Sequence, residues 1–277
     1  MCFIDQSECK GIIFFLIGKH FSIFFIVLCV IFIFSGMIDK FDGIVLRTLK
    51  YSDSLLIVDI YTRQRGRLSF LVPASRSKRG RVRSVLFQPL SMLSFTASYR
   101  QRKQLSRIND VQPYAMYSSI FYNVVKSSIA MFLAEVLTYS LREEEGNESL
   151  FVFLDRSFTL FDNLEKGYAD FHIIFMSQLL RYLGIFPNIN DFSVGDFFDL
   201  SQGCTVKEHP LHPAFLMPQD SASFVEILRV GYESMHILSL NRELRGAYLA
   251  TLIEYYRLHI PDFPKLKSFE VLKELFD

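Results

Sequence analysis

A run of basic side chains at residues 76–83, RSKRGRVR, is the feature of this sequence with the clearest chemistry. Its five cations are Arg76, Lys78, Arg79, Arg81 and Arg83. Side chains of this kind contact phosphate groups, and each neutralised phosphate releases counterions, so that affinity falls as the salt concentration rises. An isolated run of five charges is more often a solvated loop than a binding site. The run therefore needs support from the rest of the chain before it indicates a polyanion ligand.

That support comes from the distribution of charge along the chain. Residues 37–119 hold 15 Lys or Arg and 5 Asp or Glu, a net charge of +10, whereas residues 120–277 hold 13 and 22, a net charge of −9. An asymmetry of this size, concealed in an overall charge of +1, indicates a polyanion-binding module joined to an acidic domain. With the run itself, the predicted nucleic-acid contacts are Arg47, Lys50, Arg63, Arg65, Arg67, Arg100, Arg102, Lys103 and Arg107.

The elements that must position these side chains are short β-strands. Between Phe41 and Arg107, about five runs rich in Val, Ile, Leu, Phe and Thr are separated by glycines and charged turns. Gly66 marks a hairpin between the second and third runs. Five strands in about 70 residues are typical of an OB-fold, a small β-barrel whose face and loops bind oligonucleotides. The aromatic candidates for stacking on bases are Tyr51, Tyr61, Phe70 and Tyr99, although most aromatics in so small a barrel fill its core.

After Pro113 the hydrophobic pattern changes to that of helices. Apolar residues recur at helical spacing from Ile120 to Leu141, and further helices are predicted at about 148–164, 168–184, 221–231 and 241–259. Residues 187–219 contain four prolines and predict a long irregular loop. The sequence therefore predicts an α+β protein, with a five-stranded OB-fold β-barrel at 37–114 and an all-helical C-terminal domain at 115–277.

Residues 1–36 are an apolar N-terminal extension. From Gly11 to Phe34 the chain is almost wholly apolar and is about long enough to span a bilayer. Lys19 and His20 fall near the middle of this stretch, and no small-residue cleavage site follows it. We therefore favour a misplaced start codon ahead of Met37, with a membrane anchor or interfacial helix as the alternative.

The positions of the cysteines and the lack of catalytic motifs favour a non-enzymatic protein of the reducing cytosol. Three of the four cysteines lie in the extension, so the body has no disulfide framework and is typical of a reduced, cytosolic protein. Cys204, His209 and His212 are metal-competent, but a structural zinc site takes four ligands and this set is one short. The sequence contains no phosphate-binding loop, nucleophile elbow or metalloprotease motif. We therefore predict no enzyme activity, no cofactor and no small-molecule substrate.

The first domain resembles that of the RecO family of bacterial recombination mediators. The resemblance covers residues 37 to about 112, and the helical remainder agrees in type and length. HPLHPAFL looks like the variant found in the Bacteroides group. The matching features, in order, are GIVLRT near the start, Tyr51, Asp53, Thr62, Gly66, the basic run and Gln88-Pro89.

The resemblance implies a cytoplasmic, nucleoid-associated protein that binds and anneals single- and double-stranded DNA. It also implies that RecR and single-stranded DNA-binding protein are partners in loading the RecA recombinase, so that the RecA filament is reached indirectly. Many family members carry a four-cysteine zinc site in the helical domain, whereas this chain retains only Cys204 there. Zinc is therefore not expected, and other contacts must hold the 187–219 loop.

One alternative function belongs to a different class. If residues 11–34 are a real anchor, the chain is a membrane-anchored interaction protein whose basic domain lies on anionic lipid headgroups.

Overall fold

The computed structural model describes residues 38–74, 85–98, 105–143, 145–238 and 240–276. The predicted extension, the basic run at 76–83, and Arg100, Arg102 and Lys103 lie outside these ranges. No helix within the described ranges combines the length and the apolar character needed to cross a membrane.

Five β-strands close into a barrel in the order β1-β2-β3-β5-β4. Neighbouring strands are antiparallel except β3 and β5, which pair in parallel. Closure in this order is that of an OB-fold, so the predicted fold class is confirmed. The strands are β1 (Ile38–Lys50), β2 (Leu55–Thr62), β3 (Gly66–Pro73), β4 (Met92–Ser98) and β5 (Ser106–Ala115).

Alternation along the strands fills the barrel. In β3, Leu68, Phe70 and Val72 are buried while the residues between them are partly exposed. The rings of Phe70 and Phe95 meet edge-on with centroids 5.0 Å apart, and Phe41 stacks on Phe95 at 5.5 Å. Aromatic pairs in these geometries add to the stabilisation from area burial alone.

The described residues after the barrel form helices around a second, larger core. Asn123, Asn147 and Asn241 cap the N-termini of three helices, because each side-chain oxygen accepts a hydrogen bond from a backbone N–H in the first turn. The predicted helices are present, and the last helix of the chain is one that the sequence pattern did not predict. The helices are α1 (Val124–Ser140), α2 (Glu148–Asn163), α3 (Phe171–Tyr182), α4 (Pro218–Arg229), α5 (Arg242–His259) and α6 (Lys267–Phe276).

The structure differs from the sequence prediction at residues 187–219. In place of a wholly irregular loop, it contains a small sheet of β6 (Phe197–Asp199), β7 (Cys204–Val206) and β8 (Phe215–Leu216), in the order β7-β6-β8. Strands of two or three residues are too short to show the alternation by which strands are recognised in a sequence.

Asp199 holds this small sheet together. Its buried carboxylate accepts hydrogen bonds from the backbone N–H groups of Ser201 and Gln202, at 2.9 and 3.0 Å, and from the Ser201 hydroxyl at 2.7 Å. His212 Nε2 lies 3.0 Å from the same carboxylate. His212 Nδ1 accepts the Ala214 N–H at 3.2 Å, which assigns the ring proton to Nε2, facing Asp199. These contacts help to hold the small sheet. The described residues include no group of three or more His, Cys, Asp or Glu side chains placed to hold a metal ion.

Candidate nucleic-acid interface

Strand pairing brings one end of each of the five strands to one border of the barrel. Leu55 pairs with Pro73, Leu71 pairs with Arg107, and Ala97 pairs with Ile108. We call this border, made by residues 50–55, 73–74, 98 and 106–107, the loop edge. The chain leaves it after residue 74 toward the basic run at 76–83, and after residue 98 toward Arg100, Arg102 and Lys103. Both basic segments are therefore joined through the chain to this border of the barrel.

Two of the predicted DNA contacts stand at the loop edge with exposed side chains. Lys50 Nζ lies 2.7 Å from Asp53 Oδ1, and both side chains are mostly exposed, at 69% and 81%. An exposed pair of this kind contributes little, so Lys50 can exchange Asp53 for a phosphate at small cost. Arg107 is exposed and has no ion pair with any other described residue. Tyr51, beside Lys50, is 63% exposed and can present its ring to a base.

Arg47 and Arg67 have a structural role. Both guanidinium groups bind the carboxylate of Asp59, at 2.7 and 2.8 Å, and Ser69 donates to it at 2.5 Å. Burial alone would raise the pKa of Asp59, but the hydrogen bonds from Ser69, Arg67 and Arg47 outweigh it and hold the pKa below its ordinary value. Arg67 also donates to the Thr138 carbonyl oxygen at 2.6 Å, on α1. DNA contact by these two arginines stays a prediction, and it would compete with these bonds.

Arg63 and Arg65 belong to the β2–β3 hairpin, which packs against the helical domain. Arg63 Nη1 lies 3.3 Å from Glu148 Oε1, and its guanidinium carbon lies 4.7 Å from the centre of the Phe151 ring. Gly66, at the end of this hairpin, has φ of +64°, which confirms the predicted turn. The hairpin thus lies away from the loop edge, and DNA contact by Arg63 and Arg65 also stays a prediction.

Burial separates the aromatic candidates. Tyr61 and Phe70 are 3% and 0% exposed, so the base-stacking interpretation is wrong for them. Tyr99 lies outside the described residues. Sequence reasoning missed Asp59, whose only signal is an acidic residue inside the apolar strand LLIVDIYT. A buried carboxylate needs cationic or hydrogen-bonding partners, so the arginines near it in the sequence could have indicated that Asp59 forms ion pairs.

The chain matches two family models over most of its length. Recombination protein O N terminal matches residues 37–117, and Recombination protein O C terminal matches residues 122–268. The chain is 46% identical over 240 residues to DNA repair protein RecO of Phocaeicola vulgatus, covering 87% of this chain and 100% of that protein. Its identity to DNA repair protein RecO of Bacteroides fragilis is 45% over 242 residues, with the same two coverages. Its identity to DNA repair protein RecO of Flavobacterium psychrophilum is 33% over 238 residues, which covers 86% of this chain and 98% of that protein. The similarity therefore extends through both domains.

Proposed function

The chain belongs to the RecO family of DNA repair proteins, and from this premise we propose that it is a recombination mediator that binds and anneals DNA. It has no catalytic activity. It acts in the cytoplasm, which also contains the bacterial DNA. Single- and double-stranded DNA are its ligands, and RecR and single-stranded DNA-binding protein are its partners in loading the RecA recombinase.

The loop edge is the observation that carries this proposal. Lys50 and Arg107 stand there with exposed cations, and both basic segments follow its strand ends in the sequence. OB-folds bind oligonucleotides through such a combination of barrel face and loops. Backbone phosphates dominate affinity in sites of this kind, so binding depends strongly on salt and little on sequence.

Phosphate neutralisation also gives a physical route to annealing. Two complementary strands repel each other through their phosphates, and cations bound to one strand reduce that repulsion as the second approaches. The acidic helical domain, by contrast, repels DNA and leaves its own surface for protein partners.

The first experiment measures the anisotropy of labelled single-stranded DNA across a salt series. The test variant changes all five cations of the basic run to Ala, and a matched control removes five exposed cations from the helical domain. We expect wild-type affinity to fall steeply with salt, the test variant to bind more weakly with a shallower slope, and the control to behave as wild type. The two sets are Arg76, Lys78, Arg79, Arg81 and Arg83 for the test, and Arg156, Lys166, Lys207, Lys267 and Lys273 for the control.

A wild-type protein that does not bind DNA at low salt would refute the proposal. Equal loss of binding in both variants would show that net charge, and not the basic run, governs affinity. Annealing is measured separately as the rate at which two complementary labelled strands form a duplex. We expect the wild type and the control variant to anneal at similar rates and the basic-run variant to anneal more slowly.

A further inference from the structure

An apolar groove lies where the barrel meets the helical domain. It consists of two adjoining cavities of about 270 and 170 Å³ that share Gln88 and Phe121 in their walls. None of the residues lining either cavity carries a charge. The groove is distinct from the loop edge, because it includes Met92, at the opposite end of β4 from Ser98.

Four large apolar side chains project around this groove. Tyr122 is 82% exposed and Met116 is 84% exposed, and both line the larger cavity. Val85 and Met131, which line the larger and the smaller cavity respectively, are 58% and 57% exposed. Single exposed apolar residues are normal, but a cluster of them around a concave surface marks a binding site.

The turn that presents Tyr122 is bound to α2 by hydrogen bonds. The buried carboxylate of Asp162 accepts hydrogen bonds from the backbone N–H groups of Ser118, Ser119 and Ile120, at 2.7, 2.8 and 2.9 Å. The Tyr122 N–H donates to the Ser119 carbonyl oxygen at 3.0 Å. A ring that is exposed on a fixed backbone loses little conformational entropy when a ligand stacks on it.

We propose that this groove is a base-stacking site for single-stranded DNA, with Tyr122 as its principal platform. The inference deepens the proposed function and rests on it. Bases are flat, apolar-faced groups that stack on exposed aromatic rings whatever their identity. A single strand can turn its bases into the groove, whereas a duplex keeps them stacked inside the helix.

The sequence that adjoins the groove wall favours this occupant over an apolar peptide. The basic run ends at Arg83, two residues before Val85 in the groove wall, and no acidic side chain lies in the first turn of α1 behind Tyr122. Sites for single-stranded nucleic acid combine aromatic platforms with a cationic track for the backbone. Chain connectivity also links the two surfaces, since residues 75–84 join Ala74 at the loop edge to Val85 at the groove.

The test compares oligo(dT) with a duplex of the same length, using the full chain. We expect Tyr122→Ala to bind oligo(dT) about fivefold to 100-fold more weakly and to bind the duplex as wild type does. Tyr122→Phe keeps the ring and should restore oligo(dT) binding. Leu211→Ala is the matched control, because it removes an exposed apolar side chain from the β7–β8 connection, and it should change neither affinity.

A second readout uses the absence of tryptophan from the sequence. Tyr122→Trp supplies a single indole whose fluorescence a stacked base should quench, strongly with oligo(dT) and weakly with an oligonucleotide that carries abasic sites. If Tyr122→Ala binds oligo(dT) as wild type does, or the indole is not quenched, the groove is not a DNA site. Since both outcomes require wild-type binding to be intact, they overturn this inference without touching the proposed function.

Discussion

Arg67 and Asp59 form an ion pair at the boundary between the two domains, with 2.8 Å between Arg67 Nη2 and Asp59 Oδ2. The same arginine donates from its side chain to Thr138 and from its backbone N–H to the Glu143 carbonyl oxygen, at 2.6 and 3.0 Å. One residue of β3 is thus bound to its own barrel and to the end of α1. Arg67 is therefore one of the residues that join the barrel to the helical domain.

Removing the charge of Asp59 should therefore destabilise the whole protein. Asp59→Asn leaves two guanidinium groups facing a neutral amide, and breaking a buried pair from one side costs about 3 kcal/mol or more. Because the partner Arg47 is 40% exposed and can be rehydrated, we expect a value at the lower end. Urea unfolding at neutral pH measures it, with Asp53→Asn, in the exposed pair with Lys50, as a control that should change little.

The pH dependence of this loss has a defined sign. The folded-state pKa of Asp59 lies below its ordinary value of 3.8, so its contribution to stability is complete above that value and is lost as the pH falls through the folded pKa. The difference between wild type and Asp59→Asn should thus be constant near neutral pH and shrink below about pH 4. A difference that stays constant into acid would show that Asp59 is not an ionised partner of the arginines.

A pair of glycines sets how closely the hairpin approaches the helical domain. A Cβ atom on Gly66 would lie 2.5 Å from the carbonyl oxygens of Glu143 and Glu145, and one on Gly146 would lie 2.6 Å from the Gln64 carbonyl oxygen. Both contacts are with backbone, which cannot move aside cheaply. Gly66→Ala and Gly146→Ala should each lower the melting temperature clearly.

Two other glycines provide the controls. Gly184 also has positive φ, at +70°, but nothing lies within 4 Å of its added Cβ, so Gly184→Ala should show only the backbone strain of about 1 kcal/mol. Gly246 lies inside α5 with open space around it, and Gly246→Ala should raise stability by up to about 1 kcal/mol. If Gly66→Ala cost no more than Gly184→Ala, the close hairpin contact would be refuted.

The barrel and most helices could be predicted from the sequence because their signals are local. Gly66 supplies the positive φ of a hairpin, and Asn147 and Asn241 stand where caps are expected. The start of α6 has no such signal, since the backbone N–H groups of Lys267 and Ser268 donate to Glu135, a residue of α1. A cap supplied from over 100 residues away is invisible to local pattern reading.

The basic residues show where sequence reasoning stops at the site. Charge alone predicts Arg67 and Arg107 equally as phosphate contacts, yet one is bound to Asp59 and Thr138 while the other is exposed. The acceptors that turn Arg67 inward depend on strand register and on packing between domains. Tyr122, the proposed stacking platform, carries no charge that could mark it in the sequence. An aromatic residue before a helix is more often a core residue than an exposed platform, so nothing in the sequence singles it out.

The contacts of Asp199 lead to a prediction about metal. Because its hydrogen bonds and His212 hold the small sheet, we expect the purified protein to contain far less than one zinc per chain and a chelator to leave hydrogen exchange at 197–216 unchanged. Asp199→Ala should instead raise exchange across those strands, since four donor groups lose their acceptor. Stoichiometric zinc by elemental analysis, with increased exchange after chelation, would contradict this.

Single cations at the loop edge should each carry a measurable share of DNA affinity. A phosphate contact contributes about one unit, or slightly less, to the slope of log affinity against log salt. Lys50→Ala and Arg107→Ala should each lower that slope by about one and weaken binding to any sequence equally. Arg156→Ala and Lys166→Ala, which remove exposed cations from the helical domain, should leave the slope unchanged. If the loop-edge variants kept the wild-type slope while the basic-run variant lost it, DNA would follow the run away from the barrel edge, and Lys50 and Arg107 would be solvated cations only.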